Sequence, residues 1–172
     1  MILENKFNLA TFTRSDTAAK LHIDNTQMTD EQFNQLQKLY QLLVEVQSRI
    51  STKFGKLIPL QINSAFRCKA LNKAVGGVLA SQHCLGEAAD TVAIGITREE
   101  YYQSLKMLAK TNIIVFGQVI LEFGKHPEIE NDDWIHISLP TKKHMNDFMR
   151  SPITQKDGAR VEGKREYVKE SL

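Results

Sequence analysis

At 172 residues, 42% hydrophobic and 24% charged, the chain has the length of one domain that buries a core without covalent staples and the composition of a soluble globular protein. A formal net charge of +2 argues against nucleic acid or a membrane surface as an obligatory partner. No window approaches the roughly 18 apolar residues of a spanning helix, and MILENKFNLATFTRSD is interrupted by polar residues where a signal peptide needs an apolar run. Synthesis and first residence in the cytoplasm, without stable membrane insertion, are therefore expected.

Phe7, Leu9 and Phe12 read as anchors of an N-terminal lead. A long helix is predicted from Thr29, where Thr29 and Gln32 fit a capping box and Phe33, Leu36, Tyr40, Leu43, Val46 and Ile50 recur at three- and four-residue steps. Residues 57–67 alternate as a strand, with Leu60, Ile62, Ser64 and Phe66 on one face and Gln61, Asn63, Ala65 and Arg67 on the other. Gly76 and Gly77 supply a turn, and TVAIG, entered from Asp90, is a second strand. Thr97 and Glu100 cap a helix running to about Lys110, with Tyr101, Leu105 and Leu108 inward.

Strands are predicted over 118–123 and 134–139, joined by the polar loop GKHPEIENDD, and a C-terminal helix around His144. This irregular alternation predicts an α+β fold: a single domain over 1–150, with helices on one face of a mostly antiparallel sheet. The charged segment 151–172 reads as a solvated or disordered tail, with docking through Val161, Tyr167 and Val168 as the alternative. The two cysteines, Cys68 and Cys84, are expected to be reduced and packed.

SQHCLGEAAD, residues 81–90, reads as a turn delivering two ligands: His83 and Asp90 stand seven apart, with Gly86 and small alanines between them. Catalytic zinc takes three nitrogen or oxygen ligands and leaves a fourth position to water. A third ligand from another element would make the site rigid, and DWIHISL offers His136. A lone histidine on an apolar strand is usually only packed; the company of SQHCLGEAAD is what favours a ligand. His22, His126 and His144 are most simply solvent-facing, and Cys84 is too close to His83 in the chain for both to reach one ion.

A general base needs a carboxylate near the metal-bound water. Asp133 is three residues before His136, an odd spacing that places it in the loop entering the strand, where it also reads as a loop-capping acid; Glu122 in VILEF is the rival, which also reads as a surface carboxylate on a half-exposed strand. The same ligand types suit iron, cobalt or manganese in an open site.

The pattern S-x-H-x-x-G-x-A-x-D, matched by Ser81, His83, Gly86, Ala88 and Asp90, and acid-x-x-H, matched by Asp133 and His136, resembles the D-alanyl-D-alanine carboxypeptidase-like zinc peptidases. That group includes the VanX and VanY types and phage L-alanyl-D-glutamate endolysins, and the lead NLATFTRSDTAAKLHIDN is similar to its phage and prophage branch. The resemblance implies zinc on His83, Asp90 and His136 in a cleft over the sheet, with Asp133 as catalytic acid and base. It implies that Arg67, ending S-A-F-R where the family has an S-G-Y-R-type strand end, holds substrate or the oxyanion, and that Ser81 and Gln82 line the cleft.

The activity so implied is hydrolysis of L-Ala-D-Glu or D-Ala-D-Ala bonds in peptidoglycan stem peptides by a phage or prophage lysin. Such a lysin would reach the cell wall after holin-dependent release or as part of a virion. The alternative is a virion structural or interaction protein that keeps the fold, with local or lost activity.

Overall fold

In the computed structural model, which describes residues 1–122, 133–151, 155–156, 159–160 and 167–172, the chain forms two compact units, Met1–Gly95 and Ile96–Leu172. The lead of the first unit is helical. Asn8 caps α1 (Leu9–Thr13) by accepting from Ala10 N–H, and Ser15 caps α2 (Asp16–Lys20) by accepting from Ala18 N–H. Phe7 stacks on Phe12 and meets Phe33 edge-on, so the lead is pinned to the long helix α3 (Asp30–Phe54) by aromatic contacts.

The Thr29/Gln32 capping box forms at the start of α3, and Leu36, Leu39, Tyr40, Leu43, Val46 and Ile50 are its buried stripe. Gly55, at φ +63°, closes the helix in the left-handed conformation. Strand β1 (Leu60–Ser64) pairs antiparallel with β2 (Ala88–Ala93), and α4 (Lys69–Ala74) lies between them in sequence.

Two strand predictions need correction. The register of β1 against β2 shifts between Ile62 and Ser64, and the shift ends the simple alternation. Ala65 and Phe66, expected on opposite faces, are both buried just beyond the strand. Asp90 lies within β2, paired with Ser64, instead of merely preceding the strand.

In the second unit α5 (Arg98–Lys110) carries its own capping box and buries Tyr101, Tyr102, Ser104, Leu105 and Ala109. Strand β3 (Gln118–Glu122) pairs antiparallel with β4 (Trp134–Ser138) and parallel with β5 (Asp147–Arg150). The predicted C-terminal helix is absent: residues around His144 form bends, and β5 follows at once. His144 is half-buried, its Nδ1 2.8 Å from an Asp147 carboxylate oxygen, and pairing with β3 makes residues 147–150 a strand.

Short strands β6 (Gln155–Lys156) and β7 (Ala159–Arg160) pair with each other, and β8 (Val168–Glu170) adds to β5. Val161 lies outside the described residues. Side-chain charges fasten β8: Arg150 stacks over the Tyr102 ring, grips Glu99 with two bonds of 2.7 Å and also bonds Glu170, which Lys106 reaches from α5. Burial pushes the Glu170 carboxyl up, but the bonds from Lys106 and Arg150 outweigh it and hold the group below its ordinary value.

The α+β class and the mostly antiparallel pairing are those expected, with β3 and β5 the parallel exception. No helix among the described residues is long and apolar enough to cross a membrane.

Candidate metal centre

His83 sits on a single 3-10 turn, Gln82–Leu85, which Ser81 begins and Gly86 ends at φ +74°. Its Nδ1 lies 2.7 Å from the Ala65 carbonyl oxygen. A carbonyl only accepts, so Nδ1 is the donor of that bond, which leaves Nε2 as the ring nitrogen that could ligate a metal. Asp90 Oδ1 stands 3.3 Å from that Nε2. A ring nitrogen and a carboxylate oxygen thus face each other at a position only 3% exposed on the His83 side, an arrangement that suits two ligands of one metal ion.

The spacing suits a metal. Two ligand atoms each about 2.0–2.2 Å from one tetrahedral zinc ion stand about 3.4 Å apart. Ala88 and Ala89, both fully buried, let the chain carry Asp90 past the turn without crowding it. Cys84 is half-buried, and burial pushes its thiol up, which disfavours the thiolate a metal would need.

Two residues that periodicity did not single out hold this turn in place. Gln32, besides closing the α3 capping box, donates from Nε2 to the Cys84 carbonyl at 2.8 Å. Asn25, buried in the lead, donates to the carbonyls of Thr13 (2.7 Å) and Phe66 (2.9 Å) and accepts from Cys68 N–H (2.8 Å). It therefore clamps the backbone on both sides of Arg67, whose own N–H donates to the His83 carbonyl at 3.2 Å. An isolated asparagine in a polar lead has no periodic signal. Asn25→Ala strands these backbone groups and is expected to destabilise the protein by about 3 kcal/mol in urea unfolding; a change below about 1 kcal/mol would show the clamp to be dispensable.

Arg67 is half-buried and lines a cavity of about 290 Å³ with Arg14, Asn63 and Ser64, and its Nε has no hydrogen-bond partner among the described residues. Ser81 is buried and Gln82 half-buried at the start of the metal turn. His22 is exposed, as expected, and His126 lies outside the described residues.

In the second unit His136 lies on β4 opposite Ile120, and Glu122 lies opposite Trp134. Directly paired residues share a face, as do residues two apart along a strand. Glu122 and His136 are therefore diagonal neighbours on one face. Glu122 is only 6% exposed, so reading it as a surface carboxylate on a half-exposed strand is corrected. Asp133 immediately precedes β4; its carbonyl accepts from Arg98 Nε at 2.8 Å. Burial pulls the Arg98 guanidinium below its ordinary value while the Asp133 charge works against that.

Among the described residues, His83, Asp90 and His136 form a group that could hold a metal ion. Two imidazoles and one carboxylate are a zinc donor set that leaves a coordination position for a reactant. A family model described as Peptidase M15 matches residues 5–138. No curated protein matches the chain.

Proposed function

The chain belongs to the peptidase M15 family, and on that premise we propose that it is a zinc-dependent hydrolase of peptidoglycan stem peptides, cutting an L-Ala-D-Glu or a D-Ala-D-Ala bond. The observation that carries this reading is the His83 ring, fixed through Nδ1 on the Ala65 carbonyl and presenting Nε2 to Asp90. Zinc, when held by His83, Asp90 and His136, supplies a polarised scissile carbonyl and a water acidic enough to ionise near pH 7.

The remaining steps belong to the chain's own side chains. Glu122, sharing a strand face with His136, takes the proton from the attacking water and returns it to the leaving amine. Asp133 is the second candidate for that task. Arg67, half-buried on a cavity wall, forks onto a substrate carboxylate or the developing oxyanion. A phage or prophage lysin, acting after release or from within a virion, is the setting this activity fits.

The test is mass spectrometry of purified peptidoglycan fragments after incubation with the protein, with zinc and with a chelator. A chelator-sensitive new amine on D-glutamate identifies the endopeptidase, and loss of terminal D-alanine identifies the carboxypeptidase. Intact fragments beside a chain carrying one zinc ion would overturn the hydrolase reading in favour of a structural role.

A further inference from the structure

The exposed surface of residues 69–80 consists of lysine and of small or apolar residues only. In α4, Leu71 and Asn72 are buried, while Lys69, Ala70, Lys73 and Ala74 are exposed. Residues four apart share a helix face, so the two lysines stand one turn from each other on the same side. After the helix the chain passes Gly76 and Gly77 and carries Val78 and Leu79, the first 72% exposed and the second wholly so, with Val75 and Ala80 exposed on either side of them in the chain. Single exposed apolar side chains are ordinary; a group of them marks a surface that something covers.

The tip is held in one shape. Buried Asn72 donates from Nδ2 to the Val78 carbonyl at 2.9 Å, and its own main-chain carbonyl accepts from Gly77 N–H at 2.8 Å. A Cβ at position 77 would stand 2.1 Å from Asn72 Oδ1, so glycine there lets the loop close over that side chain. A buried asparagine thus fixes the backbone that presents two apolar side chains to the outside.

Charge narrows the choice of partner. No Asp or Glu occurs from residue 57 to residue 86, a local surplus that the net charge of +2 for the whole chain conceals. Among the described residues neither Lys69 nor Lys73 is in an ion pair. Apolar side chains projecting beside unpaired lysines match a bilayer with anionic headgroups, where the apolar groups enter the acyl boundary and the ammonium groups stay level with the phosphates. A protein partner fits less well: an interface of standard size takes roughly 20–30 residues a side, and nine are exposed between Lys69 and Ala80.

We propose that residues 69–80 form a peripheral docking surface for an anionic phospholipid bilayer, with Val78 and Leu79 inserted at the headgroup boundary and Lys69 and Lys73 held at the phosphates. Docking of this kind spans nothing, and the turn that carries His83 begins directly after it, at Ser81. The surface is independent of the hydrolase reading, which it neither needs nor supports.

The test is co-sedimentation of the zinc-loaded full chain with vesicles of phosphatidylcholine alone and of phosphatidylcholine mixed with phosphatidylglycerol. The chain should bind the mixed vesicles at least ten-fold more tightly than the neutral ones. In Val78→Ser/Leu79→Ser, and separately in Lys69→Gln/Lys73→Gln, affinity for the mixed vesicles should fall about ten-fold or more, each lysine at an anionic surface accounting for about five-fold. All four side chains are exposed, so both variants should melt with the parent.

No sedimentation with the mixed vesicles, or an unchanged affinity in the serine variant, would overturn the proposal. A loss confined to the lysine variant would mean attraction to any polyanion. Self-association of the parent in sedimentation equilibrium, abolished by the serine pair and without vesicle binding, would give the surface to a second copy of the chain; each of these outcomes rules out the bilayer.

Discussion

Glu122→Gln, loaded with zinc, is expected to lose hydrolytic activity by about 10²- to 10⁴-fold, the usual worth of a positioned general base, while retaining one zinc ion per chain. The substitution keeps shape and removes only the ability to take a proton. Asp133→Asn is expected to lose less than about ten-fold if Glu122 is the base, since a second carboxylate then contributes no proton transfer.

Strand register favours Glu122. Its pairing with Trp134 puts it on the same strand face as His136, and its side chain is buried there. Asp133 lies one residue before β4, at an odd separation from His136. Rates on a stem peptide with zinc content in parallel decide between them. Loss in Asp133→Asn alone, with zinc retained, would transfer the proton to Asp133.

What the sequence disclosed follows from which interactions are local. Both capping boxes, the buried stripe of α3 and the glycine-centred turn carrying His83 depend on residues a few positions apart, and each is where periodicity or turn chemistry places it. The departures come from non-local bonds. The register shift after Ile62 exists only against β2, Asn25 acquires meaning only when Thr13, Phe66 and Cys68 come to it, and the β5 strand at 147–150 is made by pairing with β3. The burial of Glu122 is non-local in the same way: alternation in VILEF gives two faces, and only the pairing with β4 says that the acid's face is buried beside His136.

Gly86→Ala is expected to unfold about 10 °C below the parent and to bind zinc at least ten-fold more weakly. Two separable terms produce this. At φ +74° any Cβ costs about 1–2 kcal/mol. A Cβ there would also stand 2.5 Å from the Gln32 carbonyl oxygen and 3.3 Å from Leu36 Cγ, contacts on the backbone and core side of α3 that cannot yield by a side-chain rotation. Overpacking of that kind adds about 1–3 kcal/mol, and at 2–4 °C per kcal/mol for a chain of this size the sum gives the stated fall.

The metal effect follows because relieving the clash pushes the turn away from α3, breaking the Gln32 bond to Cys84 and moving His83 off the Ala65 carbonyl that fixes its tautomer; losing such outer support weakens metal binding by about 10- to 100-fold. Gly76→Ala isolates the first term, since Gly76 has φ +72° with nothing within 4 Å of an added Cβ. It should cost only about 1–2 kcal/mol and leave zinc affinity untouched. Equal melting and equal zinc affinity for the two variants would mean that the contact with α3 does not position the metal turn, and that conformational strain alone makes glycine necessary at position 86.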